Sequence, residues 1–262
     1  MDQVNQTLYI PLYGKDYVSR RGIILSDPCA ERIWKEEGFR LHGKAASKWL
    51  AFYMGMRAAV FDRWTELQLQ HHPDAVVLHL GCGMDSRAQR VSGSGAGWYD
   101  VDFPAVISER RRYFRDTEQY HQYPADLRRP DWCAALPKGT AIVVMEGVSM
   151  YLQPEKLRRM LAQITGHFSH TVLLMDCYTT MAAKASKFAN PINSVGVHQV
   201  WGMDDPMSVT GDTGLAFVEP HSMTPEDLIS QLKPMEQKIF RKLYAGGFSE
   251  KLYRLYEYQS RS

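Results

Sequence analysis

Between residues 75 and 178, short apolar runs alternate with stretches of helical periodicity, and no other feature constrains the fold as tightly. Residues 75–80 read as a strand ending at Gly81, and residues 97–101 as a second strand before a helix opened by Pro104. Thr140–Met145 is nearly all apolar and rich in β-branched residues, as a central strand covered on both faces requires. Pro154 opens a helix that carries Leu157, Met160, Leu161, Ile164 and Phe168 on one stripe, and His170–Tyr178 reads as a further buried strand. Units repeated in this order predict βαβ connections and a doubly wound, mostly parallel α/β sheet.

The flanks carry different signals. Asp27 followed by Pro28 reads as an N-cap with proline at the first helical position, giving a helix that runs to about Glu37 and stops at Gly38. Ahead of it, Tyr13, Gly14 and Lys15 read as turn-prone. Trp49, Tyr53, Met56, Val60, Trp64 and Leu67 recur at steps of three and four, which predicts an amphipathic helix over 44–70 with that stripe in the core. Residues 181–212 have no period and contain Asn190-Pro191, Gly196, Gly202, Asp205-Pro206 and Gly211, the texture of a lid or binding insertion. Helices over 225–233 and 235–245 and an aromatic strand over 252–258 close the chain. A single domain over 1–262 is expected, with an N-terminal helical cap (1–73), a core (74–180), a lid (181–214) and C-terminal helices and strands (215–262).

Several function classes are excluded at this level. Lys plus Arg number 31 against 29 for Asp plus Glu, too balanced for a nucleic-acid coat or a polybasic membrane anchor. No apolar run approaches the ~18 residues of a membrane helix, and residues 1–6 lack the basic and apolar regions of a secretory signal. Cys29, Cys82, Cys133 and Cys177 are widely spaced with no C-x-x-C, so neither zinc nor a disulfide framework is implied and a reducing, cytoplasmic location is expected. Gly38, Gly43 and Lys44 have phosphate-loop spacing, but Ala45 replaces the magnesium-binding hydroxyl and a helix precedes them. Arg110-Arg111-Arg112 reads as a solvated helix face, and His71, His72 and His121 have no metal-ligand spacing.

The chemistry gathers where Val76–Leu80 runs into Gly81-Cys82-Gly83 and then a helix. Gly81 and Gly83 permit a tight turn whose backbone N–H groups face a ligand at the carboxyl edge of the sheet. Asp102 follows Gly81 by 21 residues, at the end of the next strand, where a carboxylate accepts hydrogen bonds from both hydroxyls of an adenosine ribose. NAD and S-adenosyl-L-methionine both fit this much. Ser86 stands where a dinucleotide turn expects a third small residue, and Asp85 sits in the turn where a diphosphate favours a positive helix start. Asp126 and Glu146 end successive strands, and such carboxylates suit a cationic ammonium and sulfonium. Arg57 emerges among Tyr53, Met54, Val60 and Phe61, so its charge needs a partner: a cofactor carboxylate, or Asp62.

Leu80-Gly81-Cys82-Gly83-Met84-Asp85-Ser86-Arg87, Tyr99-Asp100-Val101-Asp102-Phe103-Pro104 and Glu146-Gly147-Val148-Ser149-Met150-Tyr151-Leu152 resemble the leucine carboxyl methyltransferase family, which includes bacterial polyketide O-methyltransferases of the tetracenomycin type. Asp27-Pro28-x-Ala30, Arg57-x4-Asp62, Lys242-Leu243-Tyr244 and Leu252-Tyr253-Arg254-Leu255 extend the likeness from about Leu8 to Tyr258. The resemblance implies a class I methyltransferase, Rossmann-like fold: a seven-stranded, mostly parallel sheet with an antiparallel final strand. It places Gly81 against the cofactor, Asp102 on the ribose, Asp126 and Leu127 beside the adenine, Glu146 near the amino group, and Arg57 and Lys15 on the carboxylate. The expected activity is S-adenosyl-L-methionine-dependent O-methylation of a carboxylate or phenolic hydroxyl on a small molecule such as a polyketide-like metabolite. Tyr151, His198 and Trp201 are candidate substrate contacts, and His198 and His221 candidate bases should the acceptor be a phenol. The alternatives are a protein C-terminal carboxyl methyltransferase, an NAD(P)-dependent reductase, and a module that binds cofactor without turnover.

Overall fold

A computed structural model describes residues 5–91, 97–189 and 199–261. Seven strands form one sheet: β1 (Val76–Leu80), β2 (Trp98–Asp102), β3 (Tyr120–Pro124), β4 (Thr140–Met145), β5 (His170–Tyr178), β6 (Leu215–His221) and β7 (Tyr253–Ser260). Their order is β3-β2-β1-β4-β5-β7-β6. The first five strands pair in parallel, while β7 runs antiparallel to both β5 and β6. This is the doubly wound topology the βαβ pattern predicts, with the antiparallel last strand that the resemblance implies.

The helices are α1 (Asn5–Ser19), α2 (Pro28–Glu37), α3 (Lys48–His71), α4 (Arg87–Arg90), α5 (Pro104–Arg110), α6 (Pro154–His167), α7 (Thr180–Ala189), α8 (Glu226–Ile229), α9 (Pro234–Tyr244) and α10 (Gly247–Glu250). Both faces of the sheet are covered, because alternate residues of each central strand feed opposite cores. Ala141, Val143 and Met145 of β4 pack with Leu157, Met160, Leu161 and Ile164 of α6. Ile142 and Val144 pack with Phe52, Met56, Phe61 and Trp64 of α3. The end of the predicted stripe differs: Leu67 is exposed.

The α2 signals hold. The Asp27 side chain accepts from the Ala30 N–H at 2.8 Å, and Gly38 closes the helix at φ +61°. Residues 13–15 are helical instead of turning, and the reason lies in packing. A Cβ on Gly14 would stand 2.5 Å from the Met54 Cβ, and one on Gly55 would stand 2.8 Å from Val18. Each glycine lets α1 and α3 touch backbone to side chain, so Gly14 is there for contact with α3. The long helix begins at Lys48, later than predicted, after a short 3-10 turn over Gly43–Ala46.

Two C-terminal expectations are corrected. The aperiodic 181–212 stretch begins as α7, whose alanines favour helix. Its described remainder is docked: Trp201 N–H donates to the Met150 carbonyl at 2.8 Å and Met203 N–H to that of Tyr178 at 2.7 Å. Gly202 lies so close to Thr179 that a Cβ would be 2.3 Å from its carbonyl oxygen. One of the strands expected within 215–262 is β6, which has no alternation of its own because Pro220 breaks it; it occupies the sheet edge, with a register shift between Phe217 and Pro220. The helix expected over 225–233 is cut to α8: the Gln231 and Leu232 N–H groups bond three residues back, to Leu228 and Ile229, before Pro234 starts a new helix.

Candidate active site

A cavity of about 860 Å³ opens at the carboxyl edge of the sheet, near the top of the ~300–1,000 Å³ range of ligand sites. Lys15, Arg57, Gly81, Gly83, Asp102, Asp126, Leu127, Glu146, Tyr151 and Trp201 all contribute to its wall, so most residues singled out by sequence meet in one place. His198 lies outside the described residues. His221 does not line the cavity: it sits at the end of β6, where its Nε2 pairs with Glu257 at 2.6 Å.

The glycine turn is set by its backbone angle and by close packing on Val148. Gly81 has φ +63°, and a Cβ there would fall 2.4 Å from Val148 Cγ2. Asp102 Oδ2 accepts the Gly83 N–H at 2.8 Å and Oδ1 accepts the Phe103 N–H at 2.7 Å. Each oxygen keeps a further lone pair for a pair of hydroxyls. Burial raises this carboxyl above its usual range, against the pull of the Gly83 and Phe103 N–H groups. Beyond Asp102, Phe103, Val106 and Leu127 supply apolar walls around Asp126. The Asp126 carboxylate is held by Arg128 through Nε and Nη2, both at 2.7 Å.

Arg110 overturns the solvated-face reading. It is fully buried, and its Nη1 donates to the carbonyls of Gly83 (2.7 Å) and Asp85 (2.8 Å). Its Nη2 pairs with Asp100 and donates to the Tyr120 hydroxyl at 3.0 Å. Burial alone would raise Asp100, but Arg110 and His79 outweigh it and hold the carboxyl at about 2. Arg110 thus clamps the glycine turn from behind. Its two neighbours in the arginine run gave it the look of a surface residue.

The other charged groups form one connected network. Lys15 pairs with Asp85 at 3.3 Å, and Asp85 pairs with Arg90 at 2.8 Å and Arg87 at 3.4 Å. Arg87 and Arg90 share Asp62, at 2.7 and 2.8 Å, and Arg90 also reaches Asp27 at 2.6 Å. Arg87 meets Glu146, whose Oε1 is 3.0 Å from Arg57, and Arg57 pairs with Asp176 at 3.2 Å. The partner of Arg57 is therefore Glu146 with Asp176, while Asp62 serves the other two arginines. Burial pushes Glu146 up, yet Arg57 and Arg87 hold it at about 2. Burial also disfavours the Asp85 charge, but Arg90, Lys15 and Arg87 keep it well below the usual range. Four cations (Lys15, Arg57, Arg87, Arg90) thus face five carboxylates (Asp27, Asp62, Asp85, Glu146, Asp176), which leaves the network one positive charge short at neutral pH.

Sequence reasoning passed over Asp176 and Tyr253. A signal for the first existed: an aspartate interrupting the buried run of β5 needs a partner. Past Glu146 the cavity turns aromatic and apolar, with Tyr53, Met54, Tyr151, Tyr178, Trp201 and Tyr244 on its walls. One histidine lines the cavity among the described residues, His79, and both its nitrogens are engaged, Nδ1 by Asp100 at 3.0 Å and Nε2 by Arg87 at 3.1 Å.

Comparison with known proteins gives the family and the fold. Residues 16–165 match the family model described as leucine carboxyl methyltransferase. The tetracenomycin polyketide synthesis O-methyltransferase TcmP of Streptomyces glaucescens is 30% identical over 241 residues, covering 90% of this chain and 89% of that protein. The S-adenosyl-L-methionine-dependent methyltransferase dpfgK of Gibberella zeae is 28% identical, covering 82% of this chain and 80% of its own. The crystal structure of magnesium protoporphyrin IX methyltransferase (ChlM) from Synechocystis PCC 6803 with bound SAH superposes with a TM-score of 0.53 at 14% identity, over 94% of this chain and 97% of that one, a likeness of fold. Among the described residues, no helix is long and apolar enough to cross a membrane.

Proposed function

Since the chain belongs to the leucine carboxyl methyltransferase family and is an S-adenosyl-L-methionine-dependent methyltransferase, we propose that it methylates a carboxylate on a small, largely apolar and aromatic acceptor, in the manner of a polyketide-like metabolite. The observation that carries this reading is a single cavity with a carboxylate-rich, glycine-floored end and an aromatic end that offers no free base among the described residues.

The cofactor fits the polar end on physical grounds. Its carboxylate, ammonium and sulfonium sum to one positive charge, the charge the network lacks. Gly81 and Gly83 line this end of the cavity with backbone alone. Asp102 would receive the ribose hydroxyls, Leu127 and Asp126 would flank the adenine, Glu146 would face the ammonium, and Arg57 with Lys15 would face the carboxylate. When bound, S-adenosyl-L-methionine supplies a methyl group on a sulfonium leaving group, open to in-line attack by the acceptor oxygen.

The protein's own part is placement. Holding two reactants aligned is worth ~7–11 kcal/mol of barrier. A carboxylate acceptor is already ionised near neutral pH, so no proton has to be removed. A phenol needs a base, and the residues at hand do not provide one: His79 is locked by Asp100 and Arg87, and the Tyr151 hydroxyl is pushed well above its usual value by burial. Tyr151 and Trp201 instead give the acceptor flat apolar walls and keep water from its carboxylate.

Thermal unfolding tests the cofactor half. S-adenosyl-L-methionine at ~100 times its dissociation constant should add about 2.7 kcal/mol, and NAD nothing. Asp102→Ala should weaken binding by about 10- to 150-fold, the worth of hydrogen bonds to a charged acceptor. A panel of aromatic carboxylic acids, phenols and a leucine-terminated peptide tests the acceptor half. Faster methylation of phenols or of the peptide would overturn the carboxylate assignment.

A further inference from the structure

Asp176 stands in β5 among Leu173, Leu174, Met175 and Cys177, all buried, and is itself fully buried. Three of the groups it touches form the cavity wall. Its Oδ1 accepts the Gly147 N–H at 2.7 Å, and its Oδ2 accepts the Tyr253 hydroxyl at 2.8 Å and Arg57 Nη1 at 3.2 Å. Arg57 Nη1 also donates to the Tyr253 oxygen at 2.9 Å, closing a three-membered net. The Asp176 carbonyl accepts the Ser149 hydroxyl, which ties in the turn leading to Tyr151.

These contacts reach both halves of the site. Arg57 belongs to the cofactor end, beside Glu146, while the Tyr253 ring lies against Tyr178 at 5.0 Å on the acceptor side. A fully buried carboxylate is costly, and an apolar residue would serve the strand better unless the charge has a task. Resting on the cofactor reading above, we propose that Asp176 is a positioning residue that locks the cofactor-facing Arg57–Glu146 pair and the acceptor-facing Tyr253 into one geometry.

The charged and titratable groups around Asp176 are Arg57 and Tyr53 from α3, Glu146 and Tyr151 after β4, Cys177 and Tyr178 from β5, and Tyr253 from β7. Burial raises the Asp176 carboxyl to about 6 against the pull of Arg57. The charged form that grips Arg57 is therefore complete above that pH and lost as pH falls through it.

Calorimetric titration with S-adenosyl-L-methionine and with S-adenosylhomocysteine from pH 5 to 8 reads this directly on wild type, Asp176→Asn and Tyr253→Phe. Wild-type affinity is expected to fall below pH 6. Asp176→Asn should stay folded, bind about tenfold or more weakly at pH 8, and show a shallower profile than wild type, because the charge-assisted contact is gone at every pH. Tyr253→Phe should keep cofactor affinity and raise KM, with little change in kcat, for the carboxylic acid that wild type methylates fastest. A folded Asp176→Asn with wild-type affinity and kcat/KM overturns the proposal, as does a folded Tyr253→Phe with wild-type KM, which decides the matter even if the asparagine variant does not fold. Wild-type protein that binds no cofactor at pH 8 overturns the function assigned above together with this inference. Binding at pH 8 that is indifferent to Asp176 overturns this inference alone.

Discussion

Replacing Arg110 with methionine separates the buried clamp from the solvated helix face that the sequence pattern indicates. The guanidinium holds the carbonyls of Gly83 and Asp85 and neutralises Asp100 in a site without solvent access. Methionine keeps comparable volume but leaves Asp100 charged without its cation and two turn carbonyls without donors. Breaking one side of a buried ion pair costs ~3–5 kcal/mol. At ~2–4 °C per kcal/mol for a chain of this size, the melting temperature should drop by about 6–20 °C. Cofactor affinity should fall as well, since Gly83 also donates to Asp102. The pH dependence has a definite sign. Asp100 is held at about 2, below its unfolded value of 3.8, so its contribution is present above pH 3.8 and lost as pH falls toward 2. In Arg110→Met that acid-side loss should shrink, and adding Asp100→Asn should recover part of the stability by removing the orphaned charge. Thermal unfolding of the three proteins, wild type and the single and double variants, at stepped pH reads all of this. A single variant within ~0.5 kcal/mol of wild type, the usual effect of a surface change, would refute the clamp.

Other positions give independent tests. Gly81→Ala should lower both melting temperature and cofactor affinity, because φ +63° and a Cβ 2.4 Å from Val148 are both unfavourable. Adding Val148→Ala should return only the part due to the clash, and full recovery would show that the backbone angle is unimportant. Trp201→Ala should raise the acceptor KM while leaving cofactor affinity unchanged by calorimetry; the reverse pattern would put Trp201 at the wrong end of the cavity. Glu146 is held at about 2 against an unfolded 4.5, so its stabilisation is complete above pH 4.5 and lost toward pH 2. The gap in melting temperature between wild type and Glu146→Gln should close over that window, and a constant gap would contradict the pairing with Arg57 and Arg87.

What could be read from the chain, and what could not, follows the range of the interactions involved. Local patterns located β1, β2, β4 and β5, because a buried parallel strand bounded by a glycine or followed by a proline-opened helix carries its whole signal within about ten residues. Asp102 and Glu146 were legible because the ends of neighbouring parallel strands converge by topology. Arg110 was not, since its burial depends on Asp100 and the turn at Gly83, whose approach no periodicity encodes. Gly14 looked like a turn residue because its partner, Met54, is forty residues away. The edge strand β6 could not be bounded within 215–262 because its pairing with β7 tolerates a proline and a register shift that erase the two-residue alternation. Arg57 was recognised as needing a partner, but the partner lay in β5 and at the end of β4 instead of one helical turn away.

A crystal structure with S-adenosylhomocysteine tests the central claim most directly. The account predicts both ribose hydroxyls ~3 Å from the Asp102 carboxylate, the amino group beside Glu146, and the sulfur turned toward Tyr151 and Trp201. Ligand density elsewhere on the molecule, or a nucleoside whose ribose does not meet Asp102, would contradict it.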